Sequence, residues 1–230
     1  MIGSGTRLFA STTQRELLCL DINSGKRSWS QALQWSPWEC AAIARDRVFV
    51  GSTDGSLRAL NAQSGYMEWQ TNLGAAISTS ICSAGKTVYA GTADGRMHHI
   101  DMREGGVLSS MKVDAKLKPA SLPFVHGDAV LVLLIDEGAD YRALASLDHR
   151  LSGIRWSRRA PDWWTTTRIL VAREAVVLGT KSGEITGYSI KNGEPKWSFS
   201  LAGTIRAIGS TDEMLYVGTV EGRLYAVRMP

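Results

Sequence analysis

The chain has 230 residues, 44% of them hydrophobic, enough to bury one large core or several small ones. Lysine and arginine outnumber the acids 26 to 22, and an excess of four charges spread along the chain does not make a nucleic-acid surface. No apolar run approaches a membrane span, the longest being the strand-sized Ala129 to Ile135, and MIGSGTRLFA at the start has no apolar core of signal-peptide length. The 23 glycines and 8 tryptophans point instead to many short strands joined by tight turns. Cys19, Cys40 and Cys82 show no metal-type spacing, and an odd count leaves one unpaired within the chain. They read as small buried residues.

In chain order, the first unit predicts strands near Arg7–Ser11, Leu17–Asp21 and Arg27–Ala32, with no innermost strand before them. The second opens at Glu39–Arg45 and contains RVFVGSTDGSLRALNAQSGYMEW, Arg47 to Trp69. In it, Asp54-Gly55 suits a two-residue hairpin, and Asn61 to Gly65 makes a second turn through an Asn side chain and a Gly free to enter the left-handed region. The third runs from Ala76 to Val113 across Asp94-Gly95. Its outer strand carries Ser109 where the others carry Trp, so it is expected to be the weakest. The fourth, about Ala120 to Arg158, holds extra residues around Glu137–Tyr141. The fifth spans Thr166 to Leu201, and the last has strands near Ile205–Ile208, Met214–Thr219 and Arg223–Arg228.

Aligned on the second turn, Asp21, Asn61, Asp101, Asp148 and Ser189 each stand eight residues before Trp29, Trp69, Ser109, Trp156 and Trp197, which are spaced by 40, 40, 47 and 41 residues. Four strands per period of about 40 residues and no helical periodicity predict an all-β protein, a β-propeller of four-stranded antiparallel blades. The chain divides into a partial blade over 1–33, blades over about 34–73, 74–113, 114–160 and 161–201, and a partial blade over 202–230. About six blades are visible, with first and last incomplete. Either six blades close imperfectly, or the chain belongs to a larger seven- or eight-bladed ring, which is the expectation adopted.

Phe49–Trp69, Tyr89–Gly106, Leu178–Trp197 and Tyr216–Val227, with the partial copy Cys19–Trp29, resemble the pyrroloquinoline quinone (PQQ)-like β-propeller repeat over nearly the whole chain. That family spans quinone-dependent dehydrogenases, sensor-domain attachments and a non-catalytic lipoprotein of outer-membrane β-barrel assembly. The resemblance therefore implies a propeller and points to the periplasm or cell envelope. It leaves two functions open: a scaffold for protein partners, which leads, or a PQQ-dependent oxidoreductase or a fragment of one.

The enzymes of that family, by resemblance, need calcium or a similar ion, a carboxylate base and often adjacent cysteines. This sequence has no adjacent cysteine pair, and its acids, such as Asp54, Asp94, Asp101 and Glu221, sit in turns where backbone bonding explains them. His98 and His99 are strand neighbours and face opposite sides, so they cannot readily share an ion. No PQQ, metal or catalytic residue is expected. His99 is nonetheless odd, a bulky polar ring where the other repeats have Cys19, Ala59, Ser146, Gly187 and Ala226.

Trp29, Trp69, Trp156 and Trp197 read as inter-blade packing, and Gly51, Gly91, Gly179 and Gly218 as points where sheets approach closely. Two loops depart from the repeat in the same slot between blades, one with Trp35 and Trp38, the other with Arg158, Arg159, Trp163 and Trp164. Paired Trp beside Pro and Arg form either a docking face for a partner protein or rings that plug the central channel or cap a blade edge. Neither nucleic acid nor membrane insertion is expected, and the oligomeric state is open.

Overall fold

The computed structural model describes residues 2–33, 42–136, 141–159 and 169–229. These contain 24 strands and no helix, arranged as six antiparallel sheets in chain order. The first sheet comprises β1 (Ile2–Ser4), β2 (Arg7–Ser11), β3 (Glu16–Asp21) and β4 (Arg27–Ala32), the second β5 (Ala42–Ala44), β6 (Arg47–Gly51), β7 (Ser56–Asn61) and β8 (Met67–Asn72). The third is β9 (Cys82–Ala84), β10 (Thr87–Gly91), β11 (Arg96–Asp101) and β12 (Val107–Lys112).

In the fourth sheet the inner strand is split into β13 (Lys118–Pro119) and β14 (Phe124–His126), both paired with β15 (Ala129–Asp136), followed by β16 (Tyr141–Asp148) and β17 (Ile154–Arg159). The extra residues of this repeat lengthen the central hairpin, whose strands have 8 residues each. The fifth sheet is β18 (Leu170–Ala172), β19 (Ala175–Gly179), β20 (Glu184–Ser189) and β21 (Pro195–Ser200). The sixth has three strands, β22 (Ile205–Ser210), β23 (Met214–Thr219) and β24 (Leu224–Arg228).

One expectation is corrected. The first blade is complete, because Ile2, Gly3 and Ser4 pair with Phe9, Leu8 and Arg7 as its inner strand. Three residues with one large apolar side chain carry no alternating pattern, so the strand is defined by its partner rather than by its own sequence. Among the described strands, only the last blade lacks an outer one.

The repeat chemistry explains the local turns. At the second turn the side-chain oxygen of Asn61 accepts the backbone N–H of Gln63 and Ser64, and Asp101 does the same for Arg103 and Glu104. Between the two ends of the series, each sheet buries both faces against its neighbours. Phe49, Leu57 and Ala59 pack toward the third blade with Ile77, Val88 and Ile100. Val48, Val50 and Leu60 pack toward the first blade with Phe9, Leu17 and Cys19. Similar cores join blades three and four, four and five, and five and six. These five cores link the blades one to the next. None of them joins the sixth blade to the first.

Candidate functional site

Three tryptophans of the outer strands seal the seams by the same construction. Trp29 donates its indole N–H to the Ala62 carbonyl at 3.2 Å, Trp69 to Met102 at 3.1 Å and Trp156 to Ile190 at 2.9 Å. Each acceptor directly follows the third strand of the next blade. The ring lies over a turn glycine of that blade, so a Cβ on Gly65, Gly105 or Gly193 would come within 2.8, 2.7 or 2.5 Å of it. These glycines also have positive φ, at 77°, 74° and 71°. Phe9 and Phe49 close the other side, with ring centroids 5.7 and 5.8 Å from Trp29 and Trp69. Trp197 stacks on Phe199 at 5.8 Å and lies against Gly187. A second set of close approaches lies where second strands end: a Cβ on Gly51 or Gly179 would meet Ile77 or Ile205, and one on Gly91 would meet Thr79 and Pro119, whereas at Gly218 nothing lies within 4 Å.

The seam between blades three and four is built differently. His99 fills the slot an indole occupies elsewhere and stacks on Tyr89, with centroids 4.9 Å apart and 9° between planes. The Tyr89 hydroxyl donates to the His149 carbonyl at 2.8 Å, the acceptor position a Trp would use, and Ser109 donates to the Arg150 carbonyl. With no ring to seat, the facing turn carries buried Leu151 in the left-handed region (φ 55°). The odd histidine is thus the other half of the missing tryptophan. Burial, then the nearby His149 and Arg150, holds the His99 ring below the usual histidine range.

On the opposite face of β7 and β11 sit polar clusters at the central hairpins. Buried Arg58 donates to Gln70 at 2.9 Å, Ser52 at 3.0 Å and Asp54 at 2.8 Å. Burial opposes ionisation of Asp54, but Arg58, the Ser52 hydroxyl and the Ser56 N–H outweigh it and hold the carboxyl at about 2. In the third blade His98 takes the place of Arg58, 3.0 Å from Thr92 and 2.8 Å from Ser110. His98 and His99 therefore point to opposite faces of the strand.

Trp35, Trp38, Trp163 and Trp164 lie outside the described residues. Of the two arginines grouped with them, Arg158 belongs to a seam: it pairs with Glu194 and donates to the Gly193 carbonyl at 3.1 Å, the bond that Thr71 makes to Gly105 two blades earlier. Arg159 ends β17 and is exposed. On the face away from the hairpins, a cleft of about 880 Å³ between blades two and three is lined by Arg45, Arg47, Lys86, Arg103, Asp101 and Glu104. Its charges are mixed, and Arg47 is already engaged by Glu68 and Arg103 by Glu104.

Among the described residues, several acids and cysteines that a quinone site would call on are engaged otherwise. Among the described residues no three His, Cys, Asp or Glu side chains gather as a cation site. Asp54 is bound by Arg58, Asp101 caps its turn, and Asp148 caps another while pairing with Arg155. Cys19 is buried in the first seam, and burial pushes the Cys82 thiol up to about 11. The described acids and cysteines do not gather into the oxygen-rich donor set that a calcium–quinone centre calls for.

Blades of four antiparallel strands, packed face to face through ring-sealed seams, define a β-propeller. The family model described as outer membrane protein assembly factor BamB matches residues 2–133 and 103–229, and the chain belongs to this PQQ-like repeat family. Among solved structures it is similar to BamB from Moraxella catarrhalis, at 17% identity and a TM-score of 0.64, covering 98% of this chain and 80% of that one. It is similar to the computationally designed Ika8 protein, at 14% identity and a TM-score of 0.77, covering 99% of this chain and 70% of that one. A europium-containing methanol dehydrogenase matches at 11% identity and a TM-score of 0.70, over 86% of this chain and 50% of the enzyme. No curated protein matches the chain. At these identities the structures share the fold.

Proposed function

We propose that the protein is a non-catalytic propeller scaffold that docks partner proteins, acting in the cell envelope in outer-membrane protein assembly. The observation that carries this reading is the match to the BamB family model, which takes in nearly the whole chain. The blades supply a rigid frame, and the loops containing Trp35, Trp38, Trp163 and Trp164 supply aromatic anchors of the kind that dominate interface energetics. The alternative, a PQQ-dependent oxidoreductase, needs an ion and donor set that the described acids and cysteines do not offer.

Titration of the purified protein with PQQ, with and without calcium, followed by absorbance and calorimetry, separates the two. No binding as tight as about micromolar is expected, a level that corresponds to about −8 kcal/mol. Tighter, ion-dependent binding overturns the scaffold reading. The docking face is tested by Trp38→Ala with Trp163→Ala: the double variant should keep the circular dichroism of the parent and lose its partner. Unfolding would make the rings channel plugs instead.

A further inference from the structure

The five outer strands differ in how they treat the edge they leave open. Each is the last strand of its sheet, paired on one side only. Such an edge invites pairing with another strand, and charged side chains or Pro along it normally prevent this. β4 (RSWSQA) carries Arg27, β8 (MEWQTN) Glu68, β17 (IRWSRR) three arginines and β21 (PKWSFS) Pro195 with Lys196. β12 (VLSSMK) carries none of these before Lys112, and the charge-free run extends back to Gly105. It belongs to a complete four-stranded sheet with a blade packed on either face, so the bare edge is a property of the third blade itself.

The residue before the ring position shows the contrast. There Glu68 pairs with Arg47, Arg155 pairs with Asp128, and Lys196 donates to the Arg173 carbonyl. In β12 the same position is Leu108, 55% exposed, next to Val107 at 46%. The middle of the strand is narrow. Ser109 donates to the Arg150 carbonyl, and the Ser110 hydroxyl lies 2.8 Å from His98 Nδ1. Both hydroxyls are thus engaged within the molecule, and two small side chains leave the backbone edge open to approach.

We infer that the β12 edge is a self-association site, at which β12 of a second copy pairs antiparallel about a two-fold axis at Ser109. In that register Val107 of one copy stands opposite Met111 of the other, Leu108 opposite Ser110, and Lys112 opposite Gly106. No like charges meet, and apolar side chains face each other across the strands. A two-fold contact needs a patch that complements itself, which selects a second copy as the occupant of an edge that is uncharged on both sides. The same operation on β17 would gather three arginines from each copy. The contact does not involve the tryptophan loops, so either can fail alone.

One strand edge per copy falls below the roughly 1,200 Å² of a standard interface, so the dimer should form in the range of about 1 μM to 1 mM. Sedimentation of the 230-residue protein over that range should show a monomer–dimer equilibrium. Residue-resolved hydrogen exchange should slow at the β12 amides as concentration rises. Leu108→Lys supplies the charge the other edges carry, twice per dimer, and should weaken association about tenfold or more while leaving the thermal midpoint unchanged. Leu108→Thr, uncharged and β-branched, should leave the dimer nearly as strong.

A protein that stays monomeric through the whole range overturns the proposal. So does a dimer indifferent to Leu108→Lys, which places the contact on another surface. Protection of the β12 amides in the dilute monomer overturns it as well, because the edge is then already covered.

Discussion

Blades two and three, β5–β8 and β9–β12, have the same backbone and spacing but seal their seams with different chemistry. Blade two uses Phe49, Ala59 and Trp69 on its forward face and an Arg58–Asp54 pair on its rear face. Blade three uses Tyr89, His99 and Ser109 forward and His98 with Thr92 and Ser110 behind. In both, a ring fills the slot and a donor reaches the carbonyl that directly follows the next blade's third strand. The difference shows that the repeat specifies a volume and a hydrogen bond rather than a residue. Blade three, expected to be the weakest, has its ring on the third strand and its donor to the His149 carbonyl on the second, while Ser109 on the outer strand donates to Arg150.

The largest effect should come from removing the ring where nothing can replace it. Trp69→Ala should cost about 3–5 kcal/mol in chemical denaturation, the range for large-to-small core changes. Ser109→Ala should cost about 1 kcal/mol, one hydrogen bond's worth, because the slot stays filled by His99. Equal losses would mean the two seams are not alternatives.

Moving the ring back to the outer strand tests whether the two seams are alternatives. Ser109→Trp alone puts two rings into one slot, and overpacking should cost about 1–3 kcal/mol. Combined with His99→Ala it should cost less than the sum of the two single changes, with a coupling of at least about 1 kcal/mol. Recovery will be incomplete, because Leu151 occupies the turn where other seams keep glycine. Strict additivity would break the argument that His99 replaces the tryptophan.

Much of the fold was legible in the sequence because the repeat is local. Asp54-Gly55, Asn61 to Gly65 and Trp69 lie within one hairpin pair, and their spacing recurs about every 40 residues. What was not legible lies between repeats. Gly105 is called for by its own turn, with φ 74°, but that Trp69 of the blade before it also lies on top cannot be read within its own repeat. Likewise His99 looks anomalous beside Ala59 and Gly187 until Ser109 is read with it. A register that pairs each outer-strand residue with the following repeat's turn would have revealed both. The β1 strand escaped for another reason, since three residues carry too little pattern to alternate. The tryptophan loops, legible as a departure from the repeat, fall outside the described residues, whereas Arg158 is placed at a seam by a contact its sequence neighbours did not suggest.

A smaller change separates the rear faces at low pH. Asp54 has its carboxyl lowered from 3.8 to about 2, so its contribution is present above pH 3.8 and is lost as pH falls through 2. With the carboxyl about a third exposed, solvent screening leaves about 1 kcal/mol of this. Asp54→Asn should therefore reduce stability at pH 7 by about 1 kcal/mol and flatten the loss between pH 4 and 2. An unchanged acid limb would mean Arg58 is held by Gln70 and Ser52 alone.

The smallest change is expected in blade three, and it occurs at a milder pH. Burial is the first cause lowering both His98 and His99 below the ordinary histidine value, so each is disfavoured as a cation in the folded state. For a depressed histidine the stabilisation is whole above the unfolded value near 6.5 and is lost as pH falls toward the folded one. Around His99 the partly compensating Asp148 is outweighed by His149 and Arg150. Stability should therefore fall between pH 7 and pH 5, before the Asp54 pair responds. His99→Phe keeps a ring against Tyr89 but cannot be protonated, so it should reduce the slope in that window while leaving the pH 7 midpoint nearly unchanged. His98→Gln should reduce it on the other face, keeping hydrogen-bonding groups for Thr92 and Ser110. If denaturation midpoints of the parent are flat from pH 7 to 5, or the slope survives both substitutions, the histidine seam does not confer the acid sensitivity that distinguishes it from its tryptophan neighbour.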